Sequence, residues 1–277
     1  MCPDIVSIDF GGTSVNAVLS RVDGTELVLD YPTSEVTVSL AGVRRILDDL
    51  LVLSPGGIFV TGGSNSLIES TSQFPLQHVS EIEAIGRGGL VMSGLKQALV
   101  VSLGTGTAMV AATGDQTRHV GGSGLGGGTL LGLVRLLLQT ASFAEVESLA
   151  REGTAGAVDL SVMDIVGGDI GIVSAKSTAS HFGNVARQPD MQKFSRPDIA
   201  RGLVTMVGQS IARLALVIAR AERMEQVVVI GHVIESPLMQ SVFSSVAALF
   251  GGMFVFPDHA RQGVVRGALA IGREQVS

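Results

Sequence analysis

The sequence predicts an α/β chain of two domains, and three observations carry that prediction. Short apolar runs at 4–10 and 98–103 have the length of buried strands, and each ends in a glycine turn, Asp9-Phe10-Gly11-Gly12-Thr13 in one case and Gly104-Thr105-Gly106-Thr107 in the other. Each turn opens into a second apolar run that meets a turn signal, Asp23-Gly24 or Gly114-Asp115, and returns through a third run at 26–31 or 117–120. Beyond each unit, segments of helical period alternate with further strand-like runs. One supersecondary unit thus occurs twice, in the same order. Glycine lets backbone amides come close to a ligand, which is how a loop holds phosphate, and two such loops facing each other can clamp one triphosphate. Either loop alone is as readily a plain chain reversal; the repetition favours the ligand-binding reading.

Composition sets the outer bounds. With 277 residues and 46% hydrophobic content, the chain can bury a large core in one large or two modest domains, and the repeat favours two. Nineteen Lys and Arg face 25 Asp and Glu, a net charge of −6 with no basic run; this excludes a nucleic-acid footprint and a polybasic membrane patch and leaves a small molecule as the expected partner. The single cysteine, Cys2, permits neither a disulfide framework nor a Cys-based metal site, so a reducing cytoplasm is the expected location. Asp4 and Asp9 stand where a signal peptide would carry basic and then apolar residues. The longest apolar stretch, 203–219, is interrupted by Gln209 and Arg213 and reads as a buried helix of a soluble protein rather than a membrane span.

In chain order, Leu40, Val43, Ile46, Leu47 and Leu50 recur at helical spacing within 38–53, and Ser54-Pro55-Gly56-Gly57 stops that helix. A strand at 58–61 ends in Gly62-Gly63, at the carboxyl edge where open α/β sheets bind ligands. Ser80-Glu81-Ile82-Glu83 fits a capping box with Ser80 as N-cap and Glu83 reaching back, opening a helix to about residue 95. On the residues alone Glu81 compensates the helix dipole, which would keep it ionised. Gly121 to Thr129 leads into an apolar helix at 130–139, so its amides would face an anion or polar group at a helix start; a flexible hinge is the alternative. It is neither a Walker loop nor a Rossmann turn, since no Gly-Lys-Ser/Thr follows and the register differs.

Helices are expected at 143–151 and 174–185, the second carrying Ser177, Ser180, His181 and Asn184, with no catalytic partner in view for His181. Ser195-Arg196-Pro197-Asp198 is a second capping box, opening a long helix whose apolar face holds Ile199, Leu203, Met206, Val207, Leu214 and Val217, with Arg201, Arg213 and Arg220 solvated or snorkelled. An apolar strand at 227–230 ends in Gly231, again a ligand edge. Ser236-Pro237 caps a helix to about residue 250, 253–256 makes an edge strand, and 263–273 is the last helix, whose Gly263, Gly267 and Gly272 permit close packing or admit a flat base.

The order of Asp9-Phe-Gly-Gly-Thr, Thr61-Gly-Gly, Glu81-Ile-Glu, Gly104-Thr-Gly-Thr, Gly121 to Gly128, Gly167-Gly168-Asp169, Phe182-Gly-Asn and Gly263 to Gly272 resembles the type II pantothenate kinases, of the actin, hexokinase and Hsp70 fold group. The similarity runs nearly end to end, and its most specific elements are the glycine segment at 122–133 together with Gly167-Gly168-Asp169 and Phe182-Gly-Asn. The resemblance implies two actin-like (ribonuclease H-like) domains, 1–97 and 98–277, with an interdomain nucleotide cleft. It implies a transferase that phosphorylates pantothenate from ATP with Mg2+, the first step of coenzyme A synthesis. ATP phosphates would lie between Asp9, Gly11, Gly12, Thr13 and Gly104, Thr105, Gly106, Thr107, with Asp9 near the metal through water. Glu81 matches the general base. Gly127, Gly128 and Gly231 fall to the nucleotide, and Arg118, His119, Gly121, Gly122 and Gly126 to pantothenate, with the region from Gly263 to Gly272 bordering the adenine. A homodimer is implied, with an acyl-CoA as a candidate feedback ligand.

Two departures stand out. Asn16 occupies the place of a lysine after the first phosphate loop, and His119, following Arg118, the place of an arginine beside the pantothenate carboxylate. They leave open weak pantothenate binding, an uncharged acceptor such as pantetheine, and a catalytically silent sensor of nucleotide or acyl-CoA.

Overall fold

The computed structural model describes residues 4–52, 55–63, 68–71, 75–140, 142–171, 173–190 and 193–276; Cys2, Leu53 and Ser54 lie outside them. The repeat seen in the sequence is real in three dimensions. In the first half, β1 (Ile5–Phe10), β2 (Ser14–Ser20) and β3 (Glu26–Pro32) form an antiparallel meander, followed by α1 (Leu40–Asp49), β4 (Gly57–Thr61), β5 (Leu76–His78) and α2 (Glu81–Ser93). In the second, β6 (Gln97–Leu103), β7 (Thr107–Thr113) and β8 (Gln116–Ser123) repeat the meander. They are followed by α3 (Gly127–Leu138), α4 (Phe143–Glu152), α5 (Ala155–Val158), β9 (Leu160–Ser161), α6 (Val162–Val166), β10 (Thr178–Ser180), α7 (Gly183–Arg187) and α8 (Arg196–Ala221). The chain ends with β11 (Gln226–Ile230), α9 (Pro237–Phe250), β12 (Met253–Val255) and α10 (Gly263–Gln275).

The two five-stranded sheets have the orders β3-β2-β1-β4-β5 and β8-β7-β6-β11-β12, the same topology twice. In each, two strands add in parallel beside the first strand of the meander. Period-2 alternation then sorts side chains into layers. Val6, Ile8, Ile58 and Val60 pack against α1, whereas Ile5, Val18 and Phe59 face a central layer made by α2 and α10. The second sheet turns Val100, Val110, Val228 and Ile230 to that same layer and Leu99, Val101, Met109 and Val229 to the outer helices, α8 foremost. The C-terminal helix thus returns to the first sheet: Ser7 Oγ donates to the Val265 carbonyl at 3.0 Å, and Glu26 on β3 accepts from Arg266 at 2.9 Å and Arg273 at 2.8 Å.

Within the central layer α2 and α10 touch backbone to backbone. A Cβ at Gly88 would lie 1.8 Å from the Gly263 carbonyl oxygen, and one at Gly267 would lie 1.8 Å from that of Ala84. The glycines of the last helix therefore serve close packing; of the two uses the sequence allowed them, this is the one the fold adopts. At Gly272 a Cβ would meet the Phe59 ring at 2.6 Å, again inside the core.

Several expectations need correction. The first helix begins at Leu40, because Ser39 caps it by accepting from the Gly42 amide, and ends at Asp49, with Leu51 in the left-handed region at φ 55°. Ser80 precedes α2 but makes no side-chain cap bond, so the capping box expected there does not form. Residues 174–185 are not one helix: Ser177 N bonds back to the Ser174 carbonyl in a turn, Thr178–Ser180 pairs with β9, and only Gly183–Arg187 is helical. His181 does have an acidic neighbour, the buried Asp159, 3.2 Å from its Nδ1.

The long helix forms as expected, with Ser195 accepting from the Asp198 amide, but the Asp198 carboxylate accepts from the Thr154 amide and the Ser195 hydroxyl, not from the Ser195 amide of a full capping box. Val217, placed on its apolar face, is 61% exposed. This helix is long and apolar enough to cross a membrane, yet 61% of its most apolar window is buried in the fold, as in a core helix. Arg213 lies over the Phe250 ring at 4.2 Å, and Arg220 donates to the Phe250 carbonyl, so both stems snorkel as expected.

Candidate active site

The carboxyl ends of β1 and β6 meet across one cleft of about 650 Å³. Asp9 stands at the first of these ends, 8% exposed, in register with Asn16 on β2 and Thr61 on β4. Beyond it the loops touch: Thr13 Oγ1 lies 2.8 Å from Thr105 Oγ1, and a Cβ at Gly12 would lie 2.8 Å from that same oxygen. Asp9, Gly11, Gly12 and Thr13 line one wall and Gly104, Thr105, Gly106 and Thr107 the other. The two glycine loops singled out in the sequence are therefore brought face to face.

Gly62 and Gly231 play matching parts. Both hold positive φ, 100° and 113°, and a Cβ would meet the Phe10 carbonyl oxygen at 2.4 Å in one case and the Leu103 carbonyl oxygen at 2.3 Å in the other. Only glycine lets the ends of β4 and β11 turn this tightly past the neighbouring strand.

The third glycine run works differently from the expectation. Gly121, Gly122 and Ser123 belong to β8, paired with Met109, Ala108 and Thr107. A Cβ at Gly121 would strike Ile218 and one at Gly122 the Thr107 carbonyl, so these glycines pack against neighbours and do not line the cleft. At the helix start the Gly127 amide donates to the Gly104 carbonyl at 2.8 Å and the Gly128 amide to the Thr105 carbonyl at 2.9 Å. Thr107 Oγ1 donates to the Leu125 carbonyl at 2.7 Å, and a Cβ at Gly126 would lie 2.5 Å from the Thr105 carbonyl. These first amides of α3, expected to face a ligand, instead clamp the second glycine loop. Of this set Ser123 and Gly127 line the cleft.

Glu81, in the first turn of α2, opens into the cleft near Gly63, whose Cβ position is 3.6 Å from its Oε2. Desolvation there raises its pKa, the opposite of what the helix dipole alone suggested. Asp9 is pushed up to about 7, by burial first and by the Glu81 charge second, while a hydrogen bond from the Asn16 side chain works against both. Arg118 and His119 are not brought to this site. Both are exposed on β8, and Arg118 pairs with Glu222 on the outer surface.

The cleft also holds residues that sequence reading passed over. Phe143 and His232 pack ring on ring at 5.7 Å, beside Leu131, Val233 and Val264. Arg261 enters the wall, bonded through Nε to Glu235 Oε2 at 2.6 Å and 3.7 Å from Asp30 on β3. Gly231 directly before His232 was the one available signal; nothing local marks Phe143 or Arg261.

Among the described residues no cluster of three or more His, Cys, Asp or Glu forms a protein cage for a metal. The donor set suits Mg2+ all the same, since that ion keeps waters and takes one or two carboxylates plus substrate phosphates. Asp9, a buried carboxylate raised by a second one, is a group that a divalent cation would relieve.

A model of the Fumble family matches residues 94–250. A type II pantothenate kinase of Staphylococcus haemolyticus is 29% identical over 95% of this chain and 97% of its own. One from Bacillus cereus is 30% identical over 68% of this chain and 71% of its own. Among solved structures, the activator of 2-hydroxyisocaproyl-CoA dehydratase from Clostridium difficile with bound ADPNP superposes with a TM-score of 0.67 at 13% identity, over 99% of this chain and 95% of that one. That likeness shows the fold, an actin-like pairing of two mixed sheets. With the family model covering more than half of its length, the chain belongs to the Fumble family, that of the type II pantothenate kinases.

Proposed function

We propose that this chain transfers the γ-phosphoryl group of ATP to the primary hydroxyl of pantothenate, giving 4'-phosphopantothenate, the first step of coenzyme A synthesis. The observation that carries the reading is that Asp9 and Glu81 open into one cleft walled by two glycine loops. The loops supply backbone amides for the phosphates, and the Thr13 and Thr105 hydroxyls meet between them. Mg2+, when bound with the nucleotide, would offset the charge of its phosphates. Asp9 would hold that ion through water. Glu81 takes the proton of the acceptor hydroxyl as its oxygen attacks the γ-phosphorus, a transfer that needs a heavy-atom approach of about 3 Å. Its pKa, raised by desolvation, strengthens it as a base. Gly231, Phe143 and His232 border the nucleobase end of the cleft.

The division at 97/98, a homodimer, a cytoplasmic location and an acyl-CoA feedback ligand belong to the same reading. A second acceptor has a specific observation behind it. Arg118 and His119 lie away from the cleft, and Arg261, which reaches its wall, is engaged by Glu235 and Asp30. Among the described residues a carboxylate-bearing acceptor therefore finds no uncommitted guanidinium there, which favours an uncharged one such as pantetheine. ADP release from ATP and Mg2+ with pantothenate, with pantetheine and with no acceptor separates these. Release that depends on pantothenate supports the first reading, release confined to pantetheine moves the substrate, and acceptor-independent or absent release contradicts a kinase of either.

A further inference from the structure

The two sheets share a backbone design, and the contrast between equivalent positions exposes one residue that the design does not explain. Asp9 and Ser102 occupy the same place, two residues before Gly11 and Gly104. The parallel neighbour in register with Asp9 is Thr61, and the one in register with Ser102 is Ile230. Both neighbours are 0% exposed, and both precede the positive-φ glycines, Gly62 and Gly231. The fold is therefore satisfied by an apolar side chain at this position.

Thr61 instead places a hydroxyl there, and its Oγ1 is the one buried side-chain nitrogen or oxygen without a hydrogen-bond partner among the described residues. Leaving a buried hydroxyl unsatisfied destabilises the fold, so an isoleucine or valine would serve stability better. The hydroxyl stands on the face of the sheet that carries Asp9, and the Asp9 carboxylate already closes on the backbone next to it, with Oδ1 2.9 Å from the Cβ position of Gly62. On the other flank stands Asn16, in register on β2.

We infer that Thr61 is a positioning residue for Asp9: its buried hydroxyl, unpartnered on the strand beside Asp9, turns to donate to the Asp9 carboxylate when that carboxylate faces a nucleotide-bound divalent cation. Thr61 and Asn16 then hold Asp9 from both neighbouring strands. The inference rests on the phosphoryl-transfer reading of the cleft but is read out without the acceptor.

The test is calorimetric ADP binding, with and without Mg2+, to the wild type, Thr61→Val and Thr61→Ser, together with thermal unfolding of each ligand-free protein. Thr61→Val, which keeps the shape and removes the hydroxyl, should unfold at the same or a higher temperature. It should bind Mg2+-free ADP like wild type and lose about tenfold of the tightening that Mg2+ provides, the scale of one hydrogen bond to a charged group. Thr61→Ser should retain the Mg2+ effect. Equal Mg2+ dependence in Thr61→Val and wild type overturns the inference. So does a Thr61→Val protein that is less stable or does not fold, because the hydroxyl then has a structural partner. Failure of the kinase reading appears separately, as wild type that binds Mg2+ and ADP but releases no ADP in response to any acceptor.

Discussion

The two glycine loops are built on equivalent strands in the same order, yet one carries charge and the other does not. At the first, Asp9 stands between Asn16 and Thr61; at the second, Ser102 stands between Ala108 and Ile230. The supports differ as well. The first loop is held by Thr33, whose amide bonds the Thr13 carbonyl at 3.1 Å and whose hydroxyl bonds the Gly11 carbonyl at 3.0 Å. The second is clamped by the opening amides of α3. A duplicated scaffold therefore gives two glycine turns, and the proposed chemistry rests on the few side chains that break the symmetry: Asp9 with its two flanking polar residues, and Glu81 on the helix that follows the first sheet.

That comparison can be broken at several points. The largest expected effect is at Glu81, the proposed base. Glu81→Gln should lower kcat by about 10²–10⁴-fold, the range for a positioned general base, with ATP affinity near wild type; unchanged turnover removes Glu81 from its role. Next comes the shared scaffold. Gly126→Ala would push a methyl to 2.5 Å from the Thr105 carbonyl, so the second loop must shift. Nucleotide affinity should fall at least tenfold while the first sheet keeps its unfolding behaviour, on the order of the 1–3 kcal/mol that overpacking costs.

Charge sharpens the comparison through pH. Because Asp9 titrates near 7 in the folded protein against an ordinary 3.8, the folded state binds more protons than the unfolded one between those values. Its contribution to stability is thus lost as pH rises from about 4 to 7. Asp9→Asn removes that loss, so its unfolding temperature relative to wild type without ligand should climb across this window and level off above it. A difference that is flat with pH contradicts the buried charge. Ser102→Ala, at the equivalent uncharged place, should have no such pH signature. The smallest effect is expected at the surface. Arg118→Ala breaks an exposed pair with Glu222, worth about 0–1 kcal/mol, and it and His119→Arg should leave the acceptor KM within about twofold. A larger change in KM would bring β8 back to the acceptor.

Much of this was legible in the chain because short-range patterns determine it. The strand, glycine turn, strand unit is local, so both loops, both hairpins and the long helix after Ser195 follow from the sequence pattern. The glycines of the last helix were less so, since whether Gly267 faces a base or another backbone depends on Ala84 far away in sequence. Gly121 and Gly122 look like a loop in sequence but continue β8, because their missing side chains make room for Ile218 and the Thr107 carbonyl. Residues 174–185 have helical composition, yet Asp169 accepts from the Ala175 amide and the chain turns into β10. Phe143, His232 and Arg261 reach the cleft only through the packing of α4 and the segments around β11, so no motif announces them.

The most direct measurement is mass analysis of the product formed from ATP, Mg2+ and pantothenate by the wild type and by Glu81→Gln. A pantothenate gaining one phosphoryl group with the wild type, and essentially none with the variant, is the predicted result. No phosphorylated pantothenate from a wild type that binds ATP would contradict the assignment of this cleft, and equal product from both proteins would contradict the role of Glu81.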